Sequence, residues 1–214
     1  MLLASFQIRT CLSCGLRYPL TNEIVFGTRC PVCLGATELT LRTGREPKTH
    51  LSPNPSPKRR WEIAVLLDNI RSAWNVGSIF RSADGFGFKH AYVCGITPTP
   101  ENDAVLKTSL GAEDTVTWSY HKDAVKLVQA LKQEGWQVWA LEEHERATPL
   151  SSYPDSVPTM PVILILGSEV TGVDPGLLDL AERIFHIPMH GGKTSFNVAI
   201  AFGIAAYQLT ALSS

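Results

Sequence analysis

No run of about 18 apolar residues occurs in this chain of 214 residues, which argues against a membrane-spanning helix. The stretch MLLASFQIRTC at the N-terminus has too short an apolar segment for a secretory signal. A cytoplasmic protein with no membrane partner is therefore expected. No G-x-G-x-x-G follows a strand-like run, and the nearest glycine pair, in ADGFGFKH, lies at a helix end rather than a helix start. A dinucleotide site of the Rossmann kind is thus unsupported. There is no G-x-S-x-G elbow and no internal repeat. The segment HGGKTS (190–195) looks like the end of a phosphate-binding loop. The G-x-x-x-x-G-K-[ST] pattern, however, needs a glycine where Ile187 stands, and Pro188 has no N–H to offer.

A strong overall charge is also missing. The formal net charge is −1, but residues 1–60 carry nine Lys and Arg against three Asp and Glu, whereas residues 61–214 carry ten against seventeen. A basic arm on an acidic body fits a polyanionic partner, or else a solvated basic linker. Hydrophobic residues make up 44% and charged residues 18%, enough apolar surface for a real core. The length allows one large domain, or one domain with a small module attached.

Cysteine is scarce, yet four of the five cysteines fall within residues 1–42, as CLSC (11–14) and CPVC (30–33) separated by fifteen residues. This is zinc-ribbon spacing: Cys11, Cys14, Cys30 and Cys33 would fill a tetrahedral shell and leave no open position, so the ion would be structural. So short a segment has little core, and a metal would supply the missing stability. Two disulfides or a redox pair are the alternatives, disfavoured in a chain without a secretory signal. Gly15 and Gly35 follow the two pairs, where a tight turn favours a residue tolerant of positive φ. Cys94, in the strand-like HAYVCG, reads as a buried small hydrophobe. Residues 43–60, with Pro47, Pro53, Pro55 and Pro57, read as a linker that ends in Lys58, Arg59 and Arg60, a cluster suited to phosphate contacts.

Residues 61–214 alternate between strand and helix patterns. Strands are expected at 62–68, 90–96, 136–142, 161–167 and 183–189. Helices are expected at 75–87, at 121–134 (core face Val125, Leu127, Val128 and Leu131), at 175–182 and at 195–212. This rhythm predicts an α/β fold with a mostly parallel sheet, and the unbroken apolar runs VLL and VILIL fit strands covered on both faces. The last helix is apolar nearly all round. It is either enclosed in a core or partly turned to another subunit.

Three polar clusters sit at strand ends and turns: Asn69, Asn75 and Arg81; Gly167, Ser168 and Glu169; Ser195 and Asn197. Ligands in open α/β sheets gather beyond the carboxyl ends of the strands. Taken singly, the residues also read as caps and turns, Ser195 and Asn75 as N-caps and Glu169 as an exposed turn acid.

Together the clusters resemble the SpoU (TrmH-type) branch of the SPOUT RNA 2′-O-ribose methyltransferases. NVGSIFRSADGFG (75–87) resembles its first motif, LGSEVTGV (166–173) its second, and IPMHGGKTSFNVAIAFGIAAYQL (187–209) its third. Departures are Val170 where the second motif has a glycine, and Phe196 and Ala199 in the third. The resemblance implies a parallel α/β sheet with a C-terminal trefoil knot, preceded here by the small zinc ribbon, and with HGGKTS as the knot loop. It implies S-adenosylmethionine as methyl donor, held largely by backbone groups of Leu166, Gly167, Ile187, Met189 and Phe196. It also implies a homodimer through the knot region and tRNA or rRNA as substrate. Of the implied site residues, Arg81 would be the catalytic one, Asn75, Ser195 and Asn197 would orient it and the ribose, and Glu169 would fix the knot or anchor Arg81. A guanidinium is always protonated, so Arg81 is expected to grip phosphate and stabilise alkoxide charge rather than act as a base. The alternative is a non-catalytic zinc-ribbon RNA-binding protein with a knotted dimerisation domain.

Overall fold

A computed structural model describes residues 6–21, 28–43, 62–153 and 158–211. Lys58, Arg59, Arg60 and the prolines of the linker lie outside the described residues. The chain divides into two units, Met1–Ser56 and Pro57–Ser214.

In the first unit, β1 (Phe6–Cys11) pairs antiparallel with β2 (Arg17–Thr21) on one side and β3 (Thr37–Thr43) on the other. The two cysteine turns repeat one hydrogen-bond pattern. Cys11 N–H donates to the Leu16 carbonyl at 2.8 Å and Cys30 N–H to the Gly35 carbonyl at 3.0 Å. Gly15 takes the expected left-handed conformation, with φ of 74°, but in the second turn that position belongs to Leu34, with φ of 59°. Gly35 lies close to the first turn, where a Cβ would press on Ser13 Oγ and Cys33 Sγ.

The second unit is a seven-stranded, wholly parallel sheet. Its strands are β4 (Ile63–Asp68), β5 (His90–Cys94), β6 (Thr117–His121), β7 (Gln137–Leu141), β8 (Thr148–Pro149), β9 (Val162–Leu166) and β10 (Arg183–His186), in the order β6-β5-β4-β9-β7-β10-β8. The central strands β4 and β9 are buried along their whole length, as parallel strands with both faces covered must be. Alternate residues serve opposite layers. Ile63, Val65, Leu67, Val162, Leu164 and Leu166 pack with helices α1 (Ala73–Phe86), α2 (Asp103–Ser109) and α5 (Val198–Ala211). Leu66, Ile163 and Ile165 pack with α3 (Ala124–Gln133) and α4 (Pro175–Leu180). Each such fully buried aliphatic side chain contributes about 1.5–3 kcal/mol. Cys94 is fully buried among them, as its sequence context indicates. No helix among the described residues is long and apolar enough to cross a membrane.

Sequence patterning misses α2 and β6, and it places the start of α5 too early. Of the two readings of that helix, enclosure in a single chain does not hold. Phe202, Ala205, Ala206 and Leu209 pack on the sheet, but Ile200, Ile204 and Tyr207, roughly a turn apart, are 56%, 37% and 63% exposed. A central helix enclosed on every side of one chain is therefore excluded.

Candidate active site

The site forms where β4, β7, β9 and β10 end. Asp68 and Asn69 close β4. Asn69 adopts a left-handed conformation with φ of 56°, and its side chain donates to Asp68 Oδ1 at 2.7 Å and accepts from Ile96 N–H at 3.2 Å. Asp68 is buried, and burial pushes its pKa up. Its second oxygen accepts from Asp174 N–H at 3.1 Å and so ties the end of β4 to the loop after β9.

That loop is the second sequence cluster. Ser168 and Gly172 exchange backbone hydrogen bonds of 3.0 and 2.9 Å, closing a tight turn. Glu142, just past β7, accepts from Val173 N–H at 2.8 Å. Gly167 is obligatory, because a Cβ there would overlap the backbone of Gly172 and Val173.

The turn presents Glu169 to the start of α1. Glu169 Oε2 accepts from Arg71 N–H at 2.8 Å, while Oε1 accepts from Ser72 N–H at 3.1 Å and from Asn75 Nδ2 at 2.8 Å. A carboxylate here satisfies orphan donors at a helix N-terminus and meets the positive end of its dipole. Partial burial alone would raise its pKa, but these donors together hold it below the ordinary carboxylate value. The N-cap of α1 is Ser72, whose Oγ accepts from Asn75 N–H. Asn75 is thus not the cap and keeps its side chain free to bridge. Its Oδ1 accepts from Asn197 Nδ2 at 3.0 Å, while Asn197 Oδ1 accepts from Ala199 N–H at 3.0 Å at the start of α5.

The structure therefore joins Asn75, Glu169 and Asn197 in one hydrogen-bonded chain. Ser195 precedes α5 rather than capping it, and lines a cleft of about 640 Å³ together with Glu169 and Asn197. Leu166, Gly167, Ile187, Met189 and Phe196 line the same cleft. Arg81 stands apart. It is exposed on α1, six residues or about 9 Å along the axis from Asn75, and it makes no hydrogen bond or ion pair among the described residues. Glu169 does not anchor it. Sequence reasoning missed Asp68, Ser72 and Glu142, and also the pair of His186 Nδ1 and Glu143 Oε2, 3.4 Å apart beside the cleft. The available signal was an acid at the carboxyl end of an expected strand.

In the first unit, the Sγ atoms of Cys11, Cys14, Cys30 and Cys33 all lie within 4.8 Å of one another. Cys11 and Cys33 are 3.4 Å apart and Cys14 and Cys30 3.7 Å apart, close to the spacing of about 3.8 Å that tetrahedral Zn–S bonds of about 2.3 Å require. Backbone N–H groups of Cys14 and Val32 point at Cys11 Sγ and Cys30 Sγ, at 3.5 and 3.4 Å. Led by the Cys14 N–H, such contacts bring the Cys11 thiol down to about 6. The donor set fits a tetrahedral thiophilic cation.

A parallel α/β sheet with a polar network and a cleft at its carboxyl edge has the layout of a small-molecule-dependent enzyme. Residues 62–207 match the SpoU rRNA Methylase family, and the chain belongs to that family. It is 28% identical over 151 residues to the tRNA (guanosine(18)-2′-O)-methyltransferase of Thermus thermophilus, covering 71% of this chain and 75% of that one. It is 28% identical over 145 residues to the 23S rRNA (guanosine(2553)-2′-O)-methyltransferase of Bacillus subtilis, covering 68% of this chain and 56% of that one. Among solved structures, the AdoMet-bound rRNA methyltransferase of Sinorhizobium meliloti superposes with a TM-score of 0.64 at 26% identity, over 69% of this chain and 55% of that one. The chain is accordingly an enzyme of the RNA ribose methyltransferase class.

Proposed function

We propose that this protein transfers a methyl group from S-adenosylmethionine to a ribose 2′-hydroxyl of tRNA or rRNA in the cytoplasm. The observation that carries the reading is the bonded chain Asn197–Asn75–Glu169 set against the cleft that Leu166, Gly167, Ile187, Met189 and Phe196 line. The cleft volume, about 640 Å³, lies within the range of about 300–1,000 Å³ typical of cofactor sites.

Bound there, S-adenosylmethionine supplies an already electrophilic methyl group. What remains for the protein is to place the hydroxyl in line and ease the loss of its proton. Backbone groups of Leu166, Gly167, Ile187, Met189 and Phe196 would hold the cofactor, with residues 187–197 threaded as a trefoil knot. Arg81, without a hydrogen bond or ion pair among the described residues, would grip the substrate phosphate and stabilise charge developing on the 2′-oxygen. Asn75, Ser195 and Asn197 would orient the ribose, and Glu169 would fix Asn75. The exposed Ile200, Ile204 and Tyr207 face of α5 would close a homodimer. Cys11, Cys14, Cys30 and Cys33 would hold one structural Zn²⁺, and the module and its basic linker would add RNA affinity. The test is methyl transfer to unmodified tRNA and rRNA, together with an R81A variant that binds cofactor and transfers nothing. Normal turnover by R81A would remove the assignment of Arg81.

A further inference from the structure

Trp74 differs from the other described tryptophans. Trp118 and Trp136 are half-buried and Trp139 is buried at 2%, whereas Trp74 is 61% exposed. Its indole makes no ring contact among the described residues. Its backbone is nonetheless fixed, since its carbonyl accepts from Thr108 Oγ1 at 3.3 Å and so docks that turn of α1 on α2. A flat, exposed aromatic on a rigid base loses little conformational freedom when something stacks on it.

Its position on the helix is specific. Trp74 precedes Asn75, the residue that links Glu169 to Asn197. At 100° per residue, Arg81 lies seven positions on, within about 20° of the same face and about 10 Å along the axis. Between them on that face stands the small Ser78, and Gly85 follows Arg81 with open space where a Cβ would be. Arg71 comes three positions earlier. Its backbone N–H is held by Glu169, while its side chain is exposed and unpaired among the described residues. Gly77, about 60° away, packs tightly against α2, and Asn75, about 100° the other way, faces α5. The exposed stripe therefore reads cation, aromatic, small residue, cation; the acids beside it are already engaged, Glu169 by the Arg71 and Ser72 N–H groups and Asp84 by the Thr115 hydroxyl.

We infer that Trp74 is a base-stacking residue for unpaired RNA, with Arg71 and Arg81 on the phosphates to either side. This rests on the proposed RNA-methylating function and adds which part of the substrate α1 receives. A bare cationic stripe would take duplex and single strand alike. An indole between two guanidiniums favours a strand whose bases are free to turn outward. Charge complementarity and the flat, polar-rimmed aromatic fit a nucleotide strand better than an apolar helix from a protein partner.

The full-length protein is titrated with a fluorescein-labelled, mixed-sequence single-stranded RNA and with the duplex of the same sequence. W74A is expected to weaken single-strand binding about tenfold, W74F to restore most of it, and duplex binding to stay unchanged in both. W74A keeps the wild-type slope of log affinity against log salt, whereas R71A flattens the single-strand slope by about 0.7. S-adenosylmethionine affinity, read by calorimetry, stays at the wild-type value in W74A and R71A. Equal single-strand affinity for W74A and wild type overturns the assignment. So does loss of self-association in W74A, which would give the indole to a second copy of the chain. If the wild type binds the cofactor but neither RNA, the RNA reading itself fails, independently of any Trp74 variant.

Discussion

Asn197 and Asn75, 122 positions apart in the chain, share a hydrogen bond of 3.0 Å in which Asn197 Nδ2 donates to Asn75 Oδ1. The bond fixes the direction of the Asn75 amide, because its Nδ2 is then left to donate to Glu169. The two ends of Asn197 do separate jobs, since its Oδ1 caps the start of α5 through Ala199 N–H. N197D keeps the cap and loses the donor, placing two oxygens face to face. It is expected to melt within a few degrees of wild type while methyl transfer falls at least about tenfold. N197A loses both and is expected to lose about a further 1 kcal/mol of stability. Thermal melts beside turnover separate the two roles. Full activity in N197D would show that the amide direction is irrelevant.

Glu169 gives a pH dependence with a definite sign. Its folded-state pKa lies below the ordinary value, so its contribution is fully present above the unfolded value of about 4 and is lost as pH falls through the folded one. Because the carboxylate is solvent-accessible, the contribution is that of a good cap, about 1 kcal/mol. E169Q is expected to lack this part of the acid-induced loss, so the wild-type and E169Q stability curves converge below about pH 4. Parallel curves down to acid pH would mean that Glu169 carries no stabilising charge.

Two glycines of α1 should respond in opposite directions to the same change. A Cβ at Gly77 would overlap Thr108 Oγ1 and the Val105 carbonyl oxygen, whereas a Cβ at Gly85 meets nothing. G77A is expected to destabilise by about 1–3 kcal/mol through separation of α1 from α2. G85A is expected to stabilise by about 0.5–1 kcal/mol, as alanine does in an exposed helix. Denaturant melts of both variants check the sign.

The five cysteines should fall into two classes. Burial pushes the Cys94 thiol up to about 12, so it stays inert in the native protein. On the proposed metal assignment, the other four would be protected only while the ion holds them. The expected finding is one zinc per chain, no rapidly reactive thiols in the loaded protein, and four after chelation, with Cys94 joining only on unfolding. A protein purified without zinc, with disulfides between these cysteines, would contradict the metal assignment.

Much of the second unit is legible in its sequence because its central strands are continuous apolar runs and its main helices carry turn-spaced apolar faces. Val162–Leu166 could be read only as a strand covered on both sides. Thr117–His121 was not legible. As an edge strand it alternates polar residues with aromatics, and two of its side chains hydrogen-bond His90 instead of filling a core. Seven-residue α2 has too short a pattern to stand out. In the site, residue types were readable but bond partners were not. That Glu169 meets the backbone just ahead of α1 instead of Arg81 depends on the turn between Ser168 and Gly172, which no local pattern announces. Asp68 was hidden for a related reason: it ends an apolar run, and its partner, Asp174 N–H, is 106 positions away.

The most direct measurement is methyl transfer from labelled S-adenosylmethionine to separate pools of unmodified tRNA and rRNA, followed by nuclease digestion and separation of the nucleosides. The account predicts label on a ribose 2′-oxygen in one of the two pools, lost in R81A. Label on a base would contradict the ribose chemistry, and no label in either pool, with cofactor bound, would contradict the enzyme.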